Sequence, residues 1–487
     1  MIVAGVLLGL LLIVISGAQH RQTLSHIVFQ LRPQLPPTPT PTLTPTPTPT
    51  PTPVPTLPKA IVRDVYAVVH YVTAPAPAEI SREEIKQRWF KPNQPPLYVT
   101  ADAYDGLVAI LFEPPAEHAN VHIVPSPEAL VAALRDHPDG WGIVPFHELL
   151  PPLVPIPLEG IDLLDPRLSP KQLDDYYLSR SRIEKNTRPH SNRDPEHLAV
   201  FWVTGNSTFQ GKWARVAQDE KEMWRAFAPL YSLFSGKTWV HIHLDVPLNP
   251  GCKGMEGDPC APTEVVSLLR KQGVDSVSLA SPWMAMAGRG AALYTLKQVR
   301  EAGMVGFGVG RLHSEEIKYT WEARGARIAW VNVSVQENPG AQWATEKEPG
   351  PLPLDPEHPD EWIWAIRTLR QTHDAVVLLI RWYQVEDVPP PELERIFDLF
   401  HAAGATAVIG VQPGFPQPIV YDAGGIRAYG LGDFFHGHPS KSLTLQLYFY
   451  DGRLIAVRPY LLIPEGTQWH VARGREREPL QKLLRGE

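Results

Sequence analysis

Two histidines and an aspartate stand close together in the run Thr238 to Asp245, at His241, His243 and Asp245. In an extended strand, residues two apart point to the same face. Two imidazoles at that spacing, beside a carboxylate, could hold a divalent metal and activate water. The competing reading is a half-buried strand whose imidazoles are satisfied by neighbouring side chains, and the sequence favours it. His436 and His438 repeat the spacing next to a Gly-Pro turn, where a solvated loop is expected. The cysteines number two, Cys252 and Cys260, at either end of a Gly- and Pro-containing loop. Outside the cytoplasm such a pair favours one short disulfide. Zinc would need third and fourth ligands at a suitable spacing, and none is near.

The elements that must position these residues lie in a chain of 487 residues, long enough for two domains. Its net charge is −7 and its pI about 6.2, so no basic field points to nucleic acid. The 14 tryptophans suit either a carbohydrate-facing surface or ordinary core and rim packing, the second being preferred. Residues 1–18 are apolar and uncharged, near the ~18-residue length of a spanning helix. A signal peptide has a basic start and a shorter apolar core. An uncleaved anchor is therefore expected, with Ser16 and Ala18 marking the alternative cleavage site before Gln19. Arg21, the first basic residue, follows the run and fits the positive-inside rule poorly. Residues 19–59 are rich in Thr and Pro, and proline fixes φ and extends the residue before it. The tract Pro36 to Pro58 reads as a stiff stalk of roughly 70 Å at about 3.1 Å per residue. An anchor and a stalk imply an extracytoplasmic protein on the cell membrane.

Residues 60–178 alternate strand-like and helical patterns and predict a small α/β domain. Ser81 with Glu84 three residues on has capping-box spacing. Residues 179–196 are polar and aperiodic and are read as a linker. Residues 197–465 predict a second α/β domain, with a strand running into a Gly turn over 197–208 and further strands at 238–244, 274–280, 326–335, 374–382 and 405–411. Asp451-Gly452 signals a late hairpin. Residues 466–487 are left as a C-terminal tail.

The stretch Asp374 to Phe435 runs strand, helix ending in Ala-Gly-Ala, strand, Gln-Pro loop, and hairpin ending in Leu-Gly-Asp. This order resembles the closing segment of the bacterial capsule synthesis family CapA, the poly-gamma-glutamate biosynthesis type with a metallophosphatase-like fold. Tyr294 to Gly310 is similar to the family's helix and strand. Trp343-Ala344-Thr345-Glu346 with Pro349-Gly350 resembles a motif of an exported subgroup, which also has cysteines where Cys252 and Cys260 stand. Ile143-Val144-Pro145-Phe146 weakly resembles the module that precedes the domain in that subgroup, half of a periplasmic solute-binding protein. The resemblance implies a calcineurin-like four-layer αββα sandwich, preceded here by the small α/β domain, a transmembrane helix and a Thr/Pro stalk.

The family would hold two cations with His, Asp and Asn on strand-end loops. Matched onto this sequence, the first Gly-Asp is Gly205-Asn206, and the next acidic position is Asp245. The Asn-His region becomes Ser281 to Gly288, with Trp283 at the imidazole position. The later His-Trp-Gly region reads Arg381-Trp382-Tyr383. Both histidines of the next loop are gone, leaving Gln412 and Gly414, and Asp433 replaces an Asn. The resemblance thus implies a degenerate centre without metal, with an ion pair between Arg381 and Asp433 in place of the cations. Asn206, Asp245, Trp283, Arg381, Gln412 and Asp433 would line a retained cleft, and Arg and Gln suit carboxylates or sugar hydroxyls. The expected partners are the membrane and an acidic or carbohydrate surface polymer, with no nucleic acid. Two rival readings stand beside this one. The first is a hydrolase with divalent metal at His241, His243 and Asp245; the second is a solute-binding receptor led by the first domain.

Overall fold

The computed structural model describes residues 59–487 apart from 76, 186, 235–237, 256, 337, 339, 383–387, 413, 423, 438–440 and 487. The expected anchor and almost all of the stalk lie outside the described residues. Among the described residues no helix is long and apolar enough to cross a membrane.

The chain is mixed α/β, organised on three large sheets. The first has seven strands, with Ala60–Tyr71 near its middle. The second half of that strand pairs with Trp141–Pro145, Tyr66 opposite Pro145, and its first half with Ser179–Glu184, Ala60 opposite Glu184. Helix Arg82–Phe90 begins with the capping box read from the sequence, Ser81 and Glu84 satisfying each other's backbone N–H.

The supposed linker at 179–196 is a correction. Ser179–Glu184 and His190–Ser191 are strands on the edge of Ala60–Tyr71. Their backbones complete that strand's hydrogen bonds, a demand that side-chain periodicity does not reveal. Arg193 is fully buried, its guanidinium donating to the carbonyls of Leu163 and Asp165. The core of the first sheet also takes in Leu198, Val200, Tyr448 and Tyr450 from the second. Residues 57–487 accordingly form one compact unit. The supposed tail also folds, into strand Gln468–Val471 and helix Glu478–Arg485.

The second sheet has eight strands and centres on Leu198–Ser207 and Thr238–Leu244, which run parallel. The third has seven and centres on Ala326–Val335, Ala375–Arg381 and Ala407–Gly410, also parallel. Period-two alternation sorts their side chains into layers. Phe201 and Val203 face Trp330, Val377 and Leu379 in a core between the two sheets. Trp202, Val240 and Ile242 face the other way, onto Met223, Phe227, Leu269 and Val299. On the far side, Val331, Leu378 and Ile380 pack on Trp362, Ile366, Phe397 and Phe400. The result is helices, sheet, sheet, helices, with both sheets buried on both faces.

Candidate functional site

In parallel α/β sheets, ligands gather outside the carboxyl ends of the strands. Asn206, Asp245, Ser281, Arg381 and Gln412 all sit at or just past such ends. Register fixes two neighbours of Asn206: His243 on one side and Asp433 on the other. The Asp433 strand approaches so closely that Asn206 N–H donates to the Gly432 carbonyl at 2.9 Å, and a Cβ on Gly205 would overlap that oxygen.

Arg381 reaches across from the third sheet to the second. Its Nε donates to Asp245 Oδ1 at 2.9 Å and its Nη2 to Asp245 Oδ2 at 3.3 Å, and Nη1 donates to the Trp382 carbonyl. Asp245 is 1% exposed and Arg381 3%. Burial alone would raise the Asp245 carboxyl, but Arg381 and His243 outweigh it and hold the group well below the usual carboxylate range. Ser281, the N-cap of helix Pro282–Met286, donates its Oγ hydrogen to the Asp245 carbonyl at 2.5 Å.

The expected pairing of Arg381 with Asp433 is therefore corrected, because Arg381 is committed to Asp245. Asp433 instead accepts from Asn206 Nδ2 at 3.4 Å and faces His436 Nδ1 at 3.6 Å. Burial raises its carboxyl, which His436 and the Asn206 bond only partly offset. His438 and Tyr383 lie outside the described residues.

His241 and His243 are both fully buried. His241 is satisfied on both nitrogens, Nδ1 with Ser276 Oγ at 2.9 Å and Nε2 with Ser278 Oγ at 3.1 Å. Burial pushes it down to about 3, with His243 adding in the same direction. His243 Nδ1 meets Ser278 Oγ at 2.9 Å, while its Nε2 stands 3.7 Å from Asp245 Oδ1. Ser276 and Ser278 are the cross-strand partners of the two histidines. Their own spacing of two was a signal in the sequence, but the register that aligns them was not.

The six expected binding residues do not line one open cleft. Asn206, Asp245, Arg381 and Gln412 are buried, and the Asp433 side chain is 17% exposed. Trp283 is 40% exposed on its short helix, tied to the buried group through Ser281. Gln412 Nε2 donates to Gln417 Oε1 at 3.1 Å and to the Tyr429 carbonyl. A set of buried polar atoms at these strand ends has no hydrogen-bond partner among the described residues: Asn206 Oδ1, Ser207 Oγ, Thr208 Oγ1, His243 Nε2 and Gln412 Oε1. Each such atom costs about 1–3 kcal/mol if left dry, so the cluster calls for water or a hydroxyl-rich ligand.

Among the described residues, one trio of His, Cys, Asp or Glu side chains draws its ligand atoms together: Cys252, Asp258 and Cys260. Its two sulfurs are joined as the disulfide Cys252–Cys260 and so are not thiolate ligands.

Residues 200–438 match the family model of the bacterial capsule synthesis protein PGA_cap. This stretch is a domain of that family. The match spans every strand end that carries the buried group, from Asn206 to Asp433. No curated protein matches the chain. Among solved structures it is similar to sulfate thiohydrolase SoxB of Thermus thermophilus, in complex with glycerol. The identity is 14% and the TM-score 0.32, over 56% of this chain and 46% of that one. It is also similar to an ABC-type phosphate transport receptor from Vibrio cholerae, with 12% identity and a TM-score of 0.21, over 25% of this chain and 55% of that one. The chain thus spans about half the length of each of these solved proteins.

Proposed function

We propose that this capsule synthesis family member is a catalytically degenerate binding or scaffolding component, tethered to the membrane and serving a cell-surface polymer. The fold it uses is the calcineurin-like αββα sandwich. The observation that carries the reading is the Arg381–Asp245 pair. A two-metal phosphatase needs a carboxylate free to bridge cations and several imidazoles around it. Here Asp245 gives both oxygens to a guanidinium. That fixed positive charge repels cations in a buried setting where charge is poorly screened. Trp283, Arg381 and Gln412 stand where the family resemblance places histidines. The remaining ligand atoms, Asn206 Oδ1, His243 Nε2 and the Asp433 carboxylate, are too few for two ions, so the residues present do not fit the pair of metals. The same orphaned atoms support binding of a polyhydroxylated or amide-rich ligand, whose groups can both donate and accept.

Elemental analysis after incubation with manganese, zinc or iron, run beside an aryl-phosphate assay, tests this. The expected result is no stoichiometric metal and no turnover. About two metals per chain with hydrolysis would overturn the reading.

One observation favours the rearranged hydrolase as a second reading: His243 Nε2 is buried, without a hydrogen-bond partner among the described residues, and close to Asp245. Against it, His241 has both nitrogens bound to serines. Turnover lost in His241→Ala or His243→Ala would establish that enzyme. Tethering is tested separately by fractionation: the protein should sediment with membranes, and a soluble form beginning at Gln19 would refute the anchor.

A further inference from the structure

The first sheet, the second sheet and the C-terminal helix meet around a cavity of about 230 Å³, remote in sequence from the strand ends described above. His70 and Val154, opposite each other on paired strands, form one wall. Strand Arg453–Glu465 gives Arg458, Tyr460 and Leu461, and the closing helix gives Leu480 and Leu484, with Arg477 just before it.

Three chemistries converge there. His70 Nδ1 donates to the Tyr71 carbonyl at 2.7 Å. Burial pushes this imidazole down to about 4 despite that bond, and Arg458 and Arg477 act in the same direction. It is therefore neutral, and its Nε2, which has no hydrogen bond among the described residues, can accept from a donor placed in the cavity. Arg458 is already committed, giving Nη2 to Asp162 Oδ1 at 2.9 Å and to the Pro155 carbonyl at 3.2 Å. Arg477 is exposed and its side chain makes no hydrogen bond or ion pair among the described residues, so its guanidinium is available to an anionic group at the cavity. Apart from Tyr460, whose hydroxyl donates to Gln446 Oε1 at 3.0 Å, the rest of the lining is aliphatic, which favours a hydrocarbon body.

We propose that this cavity is a second binding site, for a small organic carboxylate that carries an N–H or O–H donor and an apolar body. The carboxylate pairs with Arg477, the donor meets His70 Nε2, and the apolar part lies against Leu461, Leu480 and Leu484. An N-acylated apolar amino acid has all three features.

Titration calorimetry on the full chain tests this with N-acetylleucine, its uncharged amide, N-acetylglycine and inorganic phosphate. N-acetylleucine should bind, and the amide and N-acetylglycine should bind at least about tenfold more weakly, the loss expected for one charge-assisted contact or one aliphatic side chain. Arg477→Gln should weaken N-acetylleucine about tenfold and leave the amide unchanged. The substituted residue is exposed, and an unchanged melting temperature will show that the fold is kept. Absence of N-acetylleucine binding would overturn the proposal. So would equal binding of acid and amide, phosphate binding as tightly as the organic acid, or an Arg477→Gln protein that binds like the parent.

Discussion

Replacing Arg381 by Met keeps most of the side-chain volume and removes the charge. Asp245 then remains, 1% exposed, with its main cationic partner gone. Breaking a buried ion pair from one side costs about 3–5 kcal/mol, because the surviving charge is left unpaired in a poor solvent. His243, with Nε2 3.7 Å away, offers partial relief, so the lower end of that range, about 3 kcal/mol, is expected. Urea unfolding at pH 7 should show this as a shifted midpoint with an unchanged slope. Adding Asp245→Asn to Arg381→Met should recover part of the loss, since it removes the stranded charge. The pH dependence follows from the same pair. Asp245 is held below its unfolded value, so its contribution is fully present above about pH 4 and is lost as pH falls further. Asp245→Asn should remove that portion of the acid sensitivity. A loss under about 1 kcal/mol in Arg381→Met, with no recovery in the double variant, would mean that the pair is not buried and joined as described. The case for a metal-excluding centre would go with it.

His241 is buried, neutral and pushed down to about 3, so the unfolded chain takes up a proton there that the folded chain does not. Stability should fall as pH drops from about 6.5 toward 3, and His241→Gln should flatten that part of a pH–stability profile. Gly205→Ala should cost well over 1 kcal/mol or prevent folding, measured by thermal melting, because the new Cβ meets the Gly432 carbonyl backbone. A wild-type melting curve from this variant would place the Asp433 strand elsewhere. Thiol labelling of the denatured, unreduced protein should find no free cysteine, and Cys252→Ser with Cys260→Ser should lower stability by about 2–3 kcal/mol for so short a loop. Two labelled thiols would refute the bridge.

Much of this protein was legible from local order alone. Apolar runs such as Ala375 to Arg381 and Ala407 to Gly410 could only be strands buried on both faces, and the helices between them carried their own caps and stops. The motif order named the family, and the aligned losses at Trp283, Arg381 and Gln412 pointed to a centre without its histidines. What tertiary structure decided was pairing. Arg381 had two candidate carboxylates, Asp245 and Asp433, more than fifty residues away on either side. Only the stacking of one sheet on the other brought it to Asp245. Satisfied imidazoles at His241 and His243 were the favoured sequence reading, but their partners Ser276 and Ser278 could not be named, because they reach them through the register of a neighbouring strand. Residues 179–196 looked like a linker because their contribution is backbone hydrogen bonding, which leaves no mark on side-chain pattern. Periodicity records how each residue meets the core, but partner choice depends on distances between segments far apart in the chain, and those exist only once the sheets are packed.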